Sequence, residues 1–360
     1  MKIYIILLLI IILLYIFLFK VFKLKYSKEI FCGVVFILLT LVQGLRSWNV
    51  GNDTKNYVRF YEIVKTMSIK SILLQSNWVI EPGYGMLMKV CSLIGINTRF
   101  FILIVAMIIN GGLMLFIYKY SENPLMSVII FMGVEFFTLS FTALRQMIAV
   151  IIVLNSYTFI RKEKYIKFII IILLAATFHK SALIFLPVYF FKNIKISKNN
   201  LIIGGCLILL LQVCAITIVK FCVEKFYYTS YLSADGSGIT QAFVMLVYLV
   251  LGILIYFKFI DKNEYKDNIL FFVIYVAFAI QSLTYQLSML SRLMWYFYIF
   301  IVIFLPNVIS NVKGSINIID KKISIKRIVS LCIYFLMILQ YLLFSINMYN
   351  IIPYSFFNCI

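Results

Sequence analysis

The sequence predicts an all-α, polytopic membrane protein with about ten transmembrane helices and a re-entrant pair of half-helices around residues 168–191. Three observations predict it. Of 360 residues, 64% are hydrophobic and only 13% charged; the mean hydropathy is +1.05; and apolar runs of roughly 17–22 residues recur from end to end, each long enough to cross a ~30 Å hydrocarbon core as a helix. A large soluble catalytic domain is excluded. A formal charge of +20 would suggest nucleic acid in a soluble chain, but here the basic residues sit in loops between apolar runs and report orientation.

Taken in order, hydropathy places spans near 3–19, 30–45, 100–118, 125–141, 143–160, 201–219, 242–257, 268–289, 293–310 and 328–346. The first is followed by Lys20, Lys23, Lys25 and Lys28 and not by a small-residue cleavage site, so it reads as a retained span and not a cleaved signal. The seven cysteines form no CxxC pair and have no histidine at metal-ligand spacing. No metal or cofactor is therefore expected. The whole chain, 1–360, reads as one membrane domain.

Residues 168–191 are apolar but interrupted by His179 and Lys180, which allows one long span or a hairpin of two half-helices. The positive-inside rule favours the hairpin, because one span would put the Lys192/Lys195/Lys198, Lys258/Lys262/Lys266 and Lys313/Lys321/Lys322/Lys326/Arg327 clusters outside. With the hairpin, cytoplasmic loops carry 20 of the 33 basic residues and short external segments six. Both termini are then external.

The one long stretch between spans, 46–99, is expected to be an ordered extracytoplasmic segment of short amphipathic helices, since long loops in compact proteins are usually functional or disordered and this one is rich in aromatics. Within it, Asp53, Tyr57 and Tyr61 recur at four-residue intervals and would share a helical face. Glu81-Pro82-Gly83-Tyr84 opens a second apolar helix.

Only seven of the basic residues are arginine, and three flank spans on the predicted external side: Arg46, Arg145 and Arg292. Arg145 and Arg292 lie at membrane depth or just above it, where a guanidinium costs on the order of 2.5–3.5 kcal/mol unless an anion meets it. The guanidinium fork suits phosphate oxygens. His179, the one histidine, falls at the hairpin tip on the same side and can exchange a proton near neutral pH. Glu135 is an acid within the outer half of its span. No serine nucleophile elbow, phosphate-binding loop or DxD pair accompanies these residues. External arginines with no external ATP point to a substrate that arrives already activated on a lipid, a polyprenyl diphosphate.

The ordered set Asp53-x3-Tyr57-x3-Tyr61, Glu81-Pro82-Gly83-Tyr84, Leu144-Arg145-Gln146-x2-Ala149, His179-Lys180-Ser181-Ala182 and Ser291-Arg292-Leu293-x2-Tyr296 resembles the EpsG family, which looks like a branch of the Wzy-type polysaccharide polymerases. The likeness covers about residues 45–300. It implies a GT-C-like enzyme of the bacterial inner membrane that joins undecaprenyl-diphosphate-linked repeat units into capsular or exopolysaccharide on the extracytoplasmic face. In that reading Arg145 and Arg292 hold the leaving diphosphate, and His179 or Glu81 is the base. Asp53, Tyr57, Tyr61 and Tyr84 position sugars, with Lys180, Ser291 and Tyr296 as further substrate contacts. The partners implied are the lipid-linked oligosaccharides, membrane lipids, and the chain-length regulator and flippase of the same pathway; nucleic acid is not among them. A competing reading is a flippase for the same lipid-linked sugar, against which the uneven span spacing and the one-sided placement of ionisable residues count.

Overall fold

The computed structural model describes residues 1–74, 80–194, 196–226, 237–260, 267–284, 290–318 and 321–357. Apolar runs become helices because a chain in hydrocarbon must satisfy its backbone hydrogen bonds within the segment. Among the described residues, seven helical stretches are long and apolar enough to span a membrane: Lys2–Val21, Ser27–Gly44, Thr98–Tyr120, Leu144–Arg161, Thr240–Phe259, Leu290–Ser310 and Ile325–Asn347. The other predicted spans coincide with the shorter apolar helices Pro124–Gly133, Lys198–Cys214 and Asn268–Ser282. The chain is an all-α, multi-pass membrane protein.

In chain order the helices are α1 (Lys2–Ile16), which runs on through a π turn at Phe17–Val21, α2 (Ser27–Gly44), α3 (Thr54–Thr66), α4 (Ile69–Leu74), α5 (Pro82–Leu93), α6 (Thr98–Tyr120), α7 (Pro124–Gly133), α8 (Phe136–Leu139), α9 (Leu144–Arg161) and α10 (Tyr165–Phe178). A 3-10 helix, Lys180–Asn193, follows, then α11 (Lys198–Phe226), α12 (Ser237–Phe259), α13 (Asn268–Ser282), α14 (Leu290–Tyr298), α15 (Ile301–Ser310), a hairpin of β1 (Ser315–Ile318) and β2 (Lys321–Ser324), and α16 (Ile325–Leu343). Helix α2 lies along α6, and α10 along α9.

Segment 168–191 folds as the expected hairpin. Helix α10 stops at His179, whose extended backbone (φ −158°, ψ 115°) reverses the chain, and the 3-10 helix packs back along α10. At about 2 Å per residue, a 3-10 helix of this length spans more depth than an α-helix would, so the return arm reaches the level at which α10 began.

Two predicted spans are broken where continuous helices were expected. The 125–141 run divides into α7 and α8 because Glu135 adopts a left-handed backbone, φ 75°. The 293–310 run divides into α14 and α15; Pro306, which has no N–H to return to the carbonyl four residues back, lies in the second piece.

The 46–99 stretch contains α3, α4 and α5, as the sequence suggests. Helix α3 buries Thr54, Tyr57, Tyr61 and Val64, one stripe at three- and four-residue spacing. The C-terminal segment folds onto this region: Gly51 and Asn52 amides donate to the carbonyls of Asn350 and Tyr349 at 3.0 and 3.1 Å, and Tyr4 Oη donates to the Ile351 carbonyl at 2.9 Å. The start of α1, the α3–α5 layer and the C-terminal segment thus lie at one end of the bundle. Inside it, Asn110 donates to Gln43 Oε1 at 2.7 Å and Asn155 to the Gly112 carbonyl at 3.1 Å, bonds that a low-dielectric interior favours.

Candidate active site

A cavity of about 470 Å³ opens at that end of the bundle, lined by Asp53 and Tyr57 from the start of α3, Arg145 and Gln146 from α9, His179 from the hairpin tip, and Arg292 and Trp295 from α14. Five separate chain segments contribute when Tyr349 is included. Several local features bring them together.

The first is Glu81, the residue before α5, with Pro82 at the first helical position, where a missing N–H costs nothing. Gly83 follows because α5 meets α10 there: a Cβ on Gly83 would fall 2.9 Å from the Thr177 backbone. That close approach brings Glu81 to His179. Glu81 Oε1 lies 2.7 Å from His179 Nδ1, and Oε2 accepts a charge-assisted hydrogen bond from the Arg145 guanidinium. One carboxylate therefore ties the hairpin tip to the start of α9. Burial alone would push the Glu81 carboxyl up, but the hydrogen bond to His179 and the Arg145 charge hold it below its ordinary value. Because a carboxylate can only accept, Nδ1 of His179 donates to Glu81, and Nε2 is the ring nitrogen that this contact leaves over.

The second feature is Gln146, whose Nε2 donates to the Arg292 carbonyl at 2.6 Å. This bond docks α14 on α9 and puts the two arginines on one cavity. The Arg292 side chain is exposed, and among the described residues no carboxylate pairs with it. The third is Gly51, which takes φ 91° and where a Cβ would fall 2.7 Å from the Phe141 carbonyl oxygen; the next turn brings Asp53 to Thr142, whose hydroxyl donates to Asp53 Oδ2 at 3.1 Å. Asp53 precedes the first turn of α3 instead of lying on its face.

The other residues named from the sequence fall elsewhere. Tyr57 lines the cavity, but Tyr61 and Tyr84 do not. Tyr61 is buried and its hydroxyl donates to the Ile96 carbonyl; Tyr84 is 0% exposed, stacked edge-on to Tyr57 and Phe101. Tyr296 is buried behind the cavity, its hydroxyl 3.1 Å from Ser181 Oγ, which fastens the 3-10 helix to α14. Lys180 is exposed and lines neither of the two large cavities, whereas Ser291 faces the second of these. Arg46 is 2% exposed and spends its donors on the Gln43, Val50 and Phe141 carbonyls, an anchor for the chain and not part of the cavity. Gln146 is legible in the Leu144-Arg145-Gln146 motif, whereas Tyr349, also on the cavity wall, carries no sequence cue. Among the described residues, no three His, Cys, Asp or Glu side chains converge as a metal site.

Asp53, Tyr57, Arg145, Gln146, His179 and Arg292 come from the ordered motifs that run from the start of α3 to α14, and a family profile described as the EpsG family matches residues 29–356. The chain belongs to the EpsG family. As a member it is a multi-pass membrane protein of the polysaccharide-polymerase type. No curated protein and no solved structure matches it.

Proposed function

We propose that this EpsG-family chain is a glycosyltransferase of the bacterial cytoplasmic membrane that polymerises undecaprenyl-diphosphate-linked oligosaccharide repeat units on the extracytoplasmic face. The observation that carries the reading is the meeting of Arg145, His179 and Arg292 around one cavity. In the reaction an acceptor sugar hydroxyl bonds to the anomeric carbon of the donor, the bond from that carbon to the diphosphate oxygen breaks, and its electron pair leaves on the diphosphate. The positive charges of Arg292 and Arg145 stabilise that departing charge, the type of preorganised electrostatic help that matters most where charge develops.

The hydroxyl proton passes to Nε2 of His179. Glu81 holds the ring by Nδ1 and stabilises the imidazolium that forms, so Glu81 serves as the orienting carboxylate and His179 as the base. Asp53, which would repel a diphosphate, is suited to accept hydrogen bonds from sugar hydroxyls, and Trp295 offers a face for pyranose C–H surfaces.

The test is to incubate the protein in nanodiscs with lipid-linked repeat units from its host, without nucleotide sugar or added metal. A ladder of longer lipid-linked glycans is the expected result. Movement of the lipid across a vesicle bilayer with no ladder would replace the polymerase by a flippase.

A further inference from the structure

A second cavity, about 810 Å³, shares Trp295 and Tyr349 with the first. Its walls are α12 and α16. Both helices pack on α15, and they are linked across the gap by Tyr248 Oη donating to Gln340 Oε1 at 2.9 Å. On its outer rim Phe243, Leu343 and Phe344 are 64%, 55% and 60% exposed, and they belong to membrane-spanning helices, so this side opens to lipid.

The floor has different chemistry. Gln241, Gln281, Thr284 and Glu135 face the cavity, and no described lining residue is cationic. Glu135 is held at φ 75° at the break between α7 and α8, a backbone region that costs a non-glycine residue about 1–3 kcal/mol. Among the described residues its carboxylate has no ion pair. An unpaired acid in the membrane body is expensive, and such residues usually serve a substrate. A carboxylate without neighbouring cations repels phosphate, but it accepts hydrogen bonds from hydroxyls.

We propose that this groove is the acceptor subsite: it takes the uncharged glycan of a second polyisoprenoid-linked oligosaccharide, admitted from the bilayer between α12 and α16, with Glu135 accepting hydrogen bonds from its sugar hydroxyls. The assignment rests on the polymerase reading, which needs two lipid-linked substrates side by side. Trp295 and Tyr349 line both cavities, so an acceptor sugar in the groove would lie beside the arginine cavity. The apolar rim fits a lipid-borne substrate, and a floor with no cation among the described residues fits the part of it that carries no charge.

The experiment is site-specific photocapture in nanodiscs, with Val244→p-benzoylphenylalanine or Leu339→p-benzoylphenylalanine and radiolabelled lipid-linked oligosaccharide extracted from host membranes. Capture is expected at both positions. It should be competed by unlabelled probe and not by phosphatidylglycerol, be retained in Arg145→Ala, and fall at least tenfold in Glu135→Ala with Glu135→Gln intermediate. Capture unaffected by Glu135→Ala, or equal capture of phosphatidylglycerol, overturns the subsite. Chain growth by the wild type with no capture sinks the subsite alone. Capture without chain growth sinks the polymerase reading and leaves the groove as a glycolipid site.

Discussion

Glu81 Oε1 and His179 Nδ1 stand 2.7 Å apart although 98 residues separate them in the chain. This contact joins the helical layer at the end of the bundle to the tip of the re-entrant hairpin, and it decides which nitrogen of His179 faces chemistry. His179→Ala is expected to lower the rate of chain extension about 10²–10⁴-fold, the usual contribution of a positioned general base. Glu81→Gln keeps an acceptor but not the charge, and about 10²-fold is expected. Single-turnover assays in nanodiscs measure both; near-wild-type rates for His179→Ala would remove it from the reaction.

The same carboxylate makes stability depend on pH. Its folded pKa lies below its ordinary value of 4.5, so the folded state binds fewer protons there than the unfolded state does. The stabilisation is therefore complete above about 4.5 and is lost as pH falls through the depressed value. Thermal melts in detergent should show the wild type losing its advantage over Glu81→Gln as pH drops from about 6 to below 4. A difference that grows on acidification would contradict the pairing.

Arg145 and Arg292 should separate by stability though not by activity. Each alanine variant is expected to lose about 10²–10³-fold in chain extension if the arginines hold the leaving diphosphate. Arg145→Ala also leaves Glu81 with His179 as its remaining partner, at a cost of roughly 1–3 kcal/mol, whereas Arg292→Ala should melt like wild type. Arg145→Lys should recover part of the activity, since the charge survives and the fork does not. Full-length polymer from both alanine variants would end the diphosphate role.

Two tyrosines make opposite stability predictions. Tyr84 Oη is buried with no hydrogen-bond partner, so Tyr84→Phe should raise stability by about 1 kcal/mol. Tyr61 Oη donates to the Ile96 carbonyl, so Tyr61→Phe should cost about 1 kcal/mol. Chemical denaturation in detergent reads both. Lost chain extension with unchanged melting would return either residue to substrate contact.

Gly83 should tolerate no side chain. A Cβ there meets the Thr177 backbone at 2.9 Å, so Gly83→Val is expected to cost about 1–3 kcal/mol as an overpacked contact and to part Glu81 from His179. Cross-linking of Gly83→Cys with Thr177→Cys would confirm the close approach, and an unperturbed melt of Gly83→Val would deny it.

Hydropathy and basic-residue placement alone determined the class of protein, the order of its spans and the hairpin at 168–191, because both properties are summed over stretches of about twenty residues and need no partner. The unusual polar residues were also legible: Arg145, His179 and Arg292 stand out against an apolar background wherever they end up. Only the tertiary structure decided what each of them touches. Arg46 and Arg292 look alike in sequence, yet the first is spent on backbone carbonyls and the second faces the cavity. Tyr57, Tyr61 and Tyr84 look alike too, and one lines the site while two are core. The break at Glu135 was hidden because a single acid barely changes a window average. Helix rotation and the angle at which α5 meets α10 set such contacts, and they depend on side-chain volumes across tens of residues, which no local pattern records.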